Sequence, residues 1–279
     1  MQQHIYYTLP QTILEQIEAL HTACLEKFSG PSLLGLVLPE ADVRESDTFY
    51  ALYYIKGAPV SFLSCFCPDG RTAEISGFTA PEFRKQGCFS CLLKEARQEA
   101  RDLFGDVDFS FQCLSSDPDT AAFCKAHGLV LSHSECMMEK QKEKPLPASS
   151  PSVCLHPSAD RKTLARLHEK IFGCPYVFSV DYIVAALADE DTVSYVISAD
   201  NTAVGLLHLT FYENVYLMGL GILPEYRKKG FAEVALRAAL SLLSEHSSLI
   251  LQVSTANTAA FGLYQKMGFR IVSRLDYFH

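Results

Sequence analysis

The chain has 279 residues, 48% of them hydrophobic and 20% charged, a globular mix with enough apolar side chains to bury the core of one large domain or two ordinary ones. Lys and Arg number 24 against 32 Asp and Glu, for a formal net charge of −8. That balance argues against broad nucleic-acid binding, which needs basic surface against phosphates, but leaves room for a small basic pocket that takes one phosphorylated cofactor. No run of about 18 apolar residues is present to span a membrane. The start MQQHIYYTLP lacks the basic-then-apolar pattern of a secretory signal. Ten cysteines without such a signal point to a reducing compartment, the cytoplasm, and to free thiols.

In chain order, the apolar periodicity predicts a helix over Thr12–Phe28 and strands over Thr48–Ile55, Val60–Cys67 and Thr72–Thr79. A helix over Gly87–Phe104, a strand over Asp108–Cys113, a helix over Asp119–Ala126 and a strand over Leu129–Met138 follow. Glu139–Pro151 (EKQKEKPLPASSP) is charged, then rich in Pro and Ser, and reads as a linker. Beyond it, helices are expected over Ala159–Phe172 and Val180–Ala188, then strands over Thr192–Ser198, Ala203–Phe211 and Val215–Ile222. Turns at Ala199–Asn201 and Glu213–Asn214 make these three strands an antiparallel meander. A helix over Gly230–Glu245, a strand over Leu249–Val253, a helix over Thr258–Met267 and a strand over Phe269–Tyr277 complete the chain.

The two halves look alike. Pro81, Glu82, Arg84, Lys85 and Gly87 recur 143 residues later as Pro224, Glu225, Arg227, Lys228 and Gly230, and TAAFCKAHGL echoes TAAFGLYQKMGF further on. Two segments repeated in the same order indicate a duplicated domain. The fold class expected is α/β (α+β), with tandem domains at 1–140 and 153–279 around a linker at 141–152. Each is a mixed, mostly antiparallel sheet flanked by helices.

The segment Leu217–Ala239 delivers an apolar strand through Pro224 and a basic, Gly-containing turn to a helix start. The first N–H groups of a helix lack intrahelical partners and sit at the positive end of its dipole, so this is an anion site suited to a pyrophosphate. Gly230 lets the backbone approach phosphate oxygens and Ala232 is small, while Arg227, Lys228 and Lys229 add positive charge.

Arg227-Lys228-Lys229-Gly230-Phe231-Ala232 resembles the signature Arg/Gln-x-x-Gly-x-Gly/Ala of the GNAT family of N-acetyltransferases. The later stretch Asn257–Phe269, with its Asn, its Tyr seven residues on and its closing Gly-Phe, is similar to the family too. The resemblance covers most of Leu155–His279 and, more faintly, Ile5–Lys140. It implies transfer of an acetyl group from acetyl-CoA, the cosubstrate, to a primary amine of a small molecule or peptide, by direct attack in a ternary complex. It implies that Leu220, Gly221 and Ile222 line the pantetheine arm, as a peptide adds to a sheet edge, and polarise the thioester carbonyl. It further implies that Arg227–Ala232 hold the pyrophosphate, that Asn257 meets the cofactor, and that Tyr264 protonates the leaving thiolate. No carboxylate stands on the strand Tyr216–Ile222, which leaves Glu213 in the preceding turn and His208 on the adjacent strand as candidates for the base.

The first half departs from this pattern: Phe89 stands where Gly or Ala is preferred, Cys124 where Tyr264 stands, and Asp117 where Asn257 stands. It is therefore expected to be a degenerate copy, the other reading being that both halves bind the cofactor. The function set against an enzyme is a non-catalytic acyl-CoA-binding or scaffold module. Cys65, Cys67, Cys88 and Cys91 read as core thiols and not as a metal site; Cys88, at a helix start, is expected to have a lowered pKa and to be reactive. The acidic balance favours a cationic acceptor.

Overall fold

The computed structural model describes residues 2–25, 47–68, 70–141, 153–244 and 247–279. They form two compact units, Met1–Glu135 with Ser273–His279, and Cys136–Val272.

Unit 1 runs β1 (Gln2–Tyr6), α1 (Gln11–Leu25), β2 (Thr48–Ile55), β3 (Ala58–Phe66), β4 (Thr72–Thr79), a 3₁₀ turn (Pro81–Phe83), α2 (Cys88–Phe104), β5 (Asp108–Leu114), α3 (Pro118–Ala126) and the start of β6 (Leu131–Gln141). Strands β1 to β4 are antiparallel neighbours. The β2–β3 hairpin turns at Lys56 and Gly57, both at positive φ (51° and 82°), as a tight two-residue turn matched to strand twist requires. β5 lies parallel to β4 over Asp108–Phe111. One face of the sheet packs Leu92, Leu93, Ala96 and Ala100 of α2 against Phe49, Leu63, Ile75 and Phe111. The other packs Ile17, Leu20 and Cys24 of α1 against Leu52, Phe62 and Phe78.

Among the described residues, unit 2 repeats the order with one helix more. After the end of β6 come β7 (Cys154–Pro157), α4 (Arg161–Phe172), α5 (Tyr176–Ala188), β8 (Thr192–Ala199), β9 (Thr202–Phe211), β10 (Val215–Ile222), a 3₁₀ turn (Pro224–Tyr226), α6 (Phe231–Ser241), β11 (Ser248–Ser254), α7 (Thr258–Lys266) and the start of β12 (Arg270–Phe278). The meander β7 to β10 is antiparallel, and β11 is parallel to β10. Asp160 caps α4 by accepting from the N–H groups of Lys162 and Thr163, and Gly173 ends it at φ 70°. α4 and α5 cover one face through Leu164, Leu167, Ile171 and Ile183. The other face packs Leu207, Leu209 and Leu217 against Ala235, Leu236 and Ala239 of α6 and Tyr264 of α7.

The expected division at 140 and 153 is not how the compact units divide. Ser273–His279, expected with the second half, belongs to unit 1. Leu275–Phe278 pair antiparallel with Leu114–Phe111 of β5, Ser134 Oγ donates to Asp276 at 2.6 Å, and the Tyr277 hydroxyl donates to Glu135 at 3.2 Å. Conversely, β6 enters unit 2 from Cys136, where Cys136 and Met138 join the core and Ser248 Oγ donates to Glu139. A strand's apolar alternation says that it is buried, not which unit buries it, so the exchange left no mark in the pattern. β6 also runs to Gln141, so Glu139–Gln141, expected in the linker, are strand; the remainder of the linker, like Glu26–Phe28 and Glu245 of two expected helices, lies outside the described residues. β1 and β7 are too short and polar to have been expected, and α5 starts at Tyr176, a turn earlier than Val180.

Leu275, 4% exposed, anchors the exchanged strand. Leu275→Ala is expected to destabilise unit 1 by about 2–5 kcal/mol. In hydrogen-exchange mass spectrometry, β4 and β5 should exchange faster while β9 stays unchanged; equal acceleration in β9 would contradict the assignment of this strand to unit 1.

Candidate active site

β10 and β11 pair only over Val215–Leu217 and Leu249–Leu251, although the first runs on to Ile222 and the second to Ser254. The cause lies in β10. Its register against β9 shifts between Met218 and Gly221, a bulge with Gly219 at φ 59°. Before the bulge, Val215 and Leu217 face the α6 core; after it, Leu220 and Ile222 do. Gly219 and Gly221 thus turn to the α4–α5 face. Side chains would not fit there: a Cβ on Gly219 would come within 2.9 Å of His208 Cδ2 and of the Tyr182 hydroxyl, and one on Gly221 would collide with Ile171. Past the bulge the facing backbone groups of the two strands have no ladder partner in each other, which leaves them open to an extended ligand.

The strand end leads into the basic turn. Arg227 does not point at the helix start: its Nε donates to Ile222 O at 2.9 Å and its Nη2 to Ile171 O at 2.6 Å. It ties the end of α4 to the end of β10. Lys228 holds φ 60°, Gly230 holds φ 84°, and Lys229 Nζ lies 5.2 Å above the Tyr226 ring. Gly230 is the N-cap of α6 and supplies no side-chain cap, so the amides that open the helix, from Phe231 and Ala232, face the turn uncapped. Glu233 follows in the first turn, neutralised by Arg237 at 2.8 Å and Lys266 at 2.7 Å.

Tyr264 sits on α7 in the unit 2 core, 7% exposed, with its ring against Phe269. Burial pushes its phenol up to about 12, so it holds its proton at neutral pH. Asn257 caps α7, its Oδ1 accepting from Ala260 N at 3.2 Å. Glu213 is exposed in the β9–β10 turn, six residues before Gly219 and roughly 20 Å along an extended chain; it is not brought to the bulge. His208 is. It is fully buried, its Nδ1 lies 2.8 Å from Ser194 Oγ, and its Nε2 is buried with no hydrogen-bond partner. Burial, with His168 adding to it, pulls its pKa down to about 4, so it is neutral at pH 7.

Residues that the sequence did not single out complete the surroundings. Tyr182 of α5 meets His208 edge-on at 5.5 Å and stacks on His168 at 4.5 Å. His168 Nδ1 lies 3.0 Å from Ser179 Oγ, and Phe172 lies against His168 at 4.7 Å. Helical periodicity marks these residues as α4–α5 contacts, and only the bulge in another element makes them neighbours of a site. Cys88 differs from expectation: buried at 5% exposure, its thiol is raised by desolvation, then by Cys91, because burial outweighs the helix terminus. Among the described residues no cluster of three or more His, Cys, Asp or Glu could hold a metal ion.

Residues 161–269 match the acetyltransferase (GNAT) family. The whole chain is similar in fold to a GCN5-related N-acetyltransferase from Sphaerobacter thermophilus (15% identity, 99% of this chain and 94% of that one, TM-score 0.80). It is similar as well to a tandem GNAT protein from the clavulanic acid biosynthesis pathway, solved without AcCoA (16%, 99% and 98%, TM-score 0.71). An acetyltransferase of the GNAT family from Colwellia psychrerythraea is a third (15%, 100% and 99%, TM-score 0.66). No curated protein matches the chain in sequence.

The buried His208 sets a pH dependence. An unfolded chain takes up its proton near pH 6.5, whereas the folded one resists until about 4. The stability that goes with the neutral ring is whole above about 6.5 and falls away as pH drops toward 4, by up to about 3 kcal/mol. Burial lowers His21 and His168 too, which adds in the same direction. Urea midpoints should therefore fall between pH 7 and 4.5, and less so in His208→Gln; parallel curves for the two proteins would contradict the buried neutral ring.

Proposed function

Residues 161–269 being a domain of the acetyltransferase (GNAT) family, we propose that unit 2 moves an acetyl group from acetyl-CoA to a primary amine of a small molecule or peptide, by direct attack. The observation that carries this reading is the opening between β10 and β11 beside the uncapped start of α6. The parted strands offer backbone partners to the amides of a pantetheine arm. The turn Lys228–Gly230 and the amides of Phe231 and Ala232 offer an anion site for its pyrophosphate. Arg227 serves by holding that turn against Ile222 and Ile171.

At the bulge, a backbone N–H of the Leu220–Ile222 segment polarises the thioester carbonyl. The neutral amine attacks the carbonyl carbon; the C–N bond forms, the C–S bond breaks, and the amine proton passes to water, which returns a proton to Tyr264 once the phenol has protonated the sulfur. Tyr264, protonated at working pH, donates toward the leaving sulfur. In the tautomer whose Nδ1–H donates to Ser194, His208 Nε2 presents a lone pair and accepts a hydrogen bond from the incoming amine or from a water on it. With a pKa of about 4 it orients the nucleophile and does not keep the proton. Glu213, far along the strand, has no part in this scheme. No helix of the described residues is long and apolar enough to cross a membrane, and cytoplasmic chemistry on a dissolved amine fits the reading.

The test follows thiol release from acetyl-CoA over a panel of primary amines. The reading expects turnover, a loss of about 10²-fold or more in kcat for Tyr264→Phe with KM for acetyl-CoA little changed, and a pH–rate profile with no step near 6.5 from His208. Binding of acetyl-CoA with no turnover on any amine would favour the non-catalytic acyl-CoA module. Full activity in Tyr264→Phe would remove the donor role.

A further inference from the structure

Unit 1 contains a cavity of about 540 Å³, within the roughly 300–1,000 Å³ of small-molecule sites. It opens where β4 and β5 part: they pair only over Thr72–Ile75 and Asp108–Phe111, and Ser76–Thr79 and Gln112–Leu114 then line the space. Five phenylalanines surround it, Phe78, Phe83, Phe89, Phe111 and Phe123.

The charges at its basic turn are already matched. Arg84 Nη1 lies 3.4 Å from Asp117 and 3.2 Å from Asp119, and Lys85 Nζ lies 3.0 Å from Asp119. Arg84 Nε donates to Thr79 O at 3.1 Å. Hydrogen bonds from Lys85 and Arg84 hold the Asp119 carboxyl below its ordinary pKa, so it stays ionised. A pyrophosphate placed here would have to break these pairs and face two carboxylates. Phe89, in the first turn of α2, stands edge-on to Phe123 at 5.3 Å and reaches to within 2.8 Å of where a Cβ on Gly77 would be. It places an aromatic ring at the motif position where unit 2 has the methyl of Ala232. The start of α2 at Gly87 lacks a side-chain cap, as Gly230 does in unit 2, but the cations beside it are paired and Phe89 lies against Gly77, which leaves a mainly apolar volume.

We propose that this cavity binds one neutral, largely apolar small molecule without a phosphate, and that unit 1 is a ligand-binding unit of a different chemistry from unit 2.

The experiment titrates the full chain with N-phenyl-1-naphthylamine, an uncharged apolar dye whose fluorescence rises on desolvation. Ala122 lines the cavity from an exposed position on α3, so Ala122→Trp should close it without harming the fold, which circular dichroism checks. Saturable dye binding is expected, weakened tenfold or more by Ala122→Trp and undiminished by saturating CoA or inorganic pyrophosphate. Absence of saturable binding, equal binding in Ala122→Trp, or displacement by CoA or pyrophosphate would overturn the proposal. Acetyl-CoA binding to Ala122→Trp, measured alongside, should match the wild type, so a failure of this proposal is read separately from a failure of the acetyltransferase reading.

Discussion

A pair of parallel strands that separates after three residues governs the arrangement of unit 2. The bulge at Met218–Gly219 turns β10 by one residue, so the strand that was packing odd residues into the α6 core packs even ones beyond it. That single insertion accounts for three features together. It ends the ladder with β11 and leaves backbone groups without a partner. It points two glycines, which alone fit, at His208, Tyr182 and Ile171. It also delivers the chain to the basic turn at the angle Arg227 then fixes with two carbonyls. In the parallel geometry a strand edge can come apart in this way because the next element, a helix, returns on the far side of the sheet and does not enforce register as a tight hairpin does.

The same parting occurs in unit 1 between β4 and β5, which shows that the architecture is separable from the chemistry placed on it. In both units the helix start lacks a side-chain cap, and in unit 2 the arginine spends its hydrogen bonds on two carbonyls. In unit 1 the matching arginine keeps one carbonyl, Thr79 O, and it and its lysine neighbour pair with two aspartates. Cys124, 1% exposed and 4.0 Å from the Cys113 thiol, takes the place of the tyrosine. A few substitutions at one end of a sheet are enough to change what the opening can hold, while the cores that form it stay closely alike in element order.

Much of this was readable from residue patterns. The alternating strands, the turn at Ala199–Asn201 and the helix start at Gly230 are local features, set by side-chain period and by backbone angles, and local features are what a sequence displays. The exchange of β12 is not local. Leu275 shares a face with Tyr277 and Asp276 with Phe278, a pattern that would serve beside any partner, so nothing in it chooses β5. The role of Arg227 was hidden for a related reason. A guanidinium in a basic turn reads as an anion ligand, and only the nearness of Ile171 O, fifty-six residues away, makes it a clasp. His208 is the inverse case: the sequence offered it with Glu213 as a candidate base, but its burial and unpartnered Nε2 depend on what α5 places above it. The acidic balance suggested a cationic acceptor, whereas the side chains gathered at the bulge are aromatic rings and neutral imidazoles; net charge does not report where charges lie.

The central claim is that one unit, and only one, takes acetyl-CoA, because of the residue at the second position of the helix after the basic turn and the charges beside it. The measurement is calorimetric titration of the full chain with acetyl-CoA, read for stoichiometry, in the wild type and in Ala232→Phe, which copies into unit 2 the ring that Phe89 places in unit 1. One site per chain, lost in Ala232→Phe, is the predicted result. Two sites in the wild type, or one site that Ala232→Phe leaves intact, would contradict it.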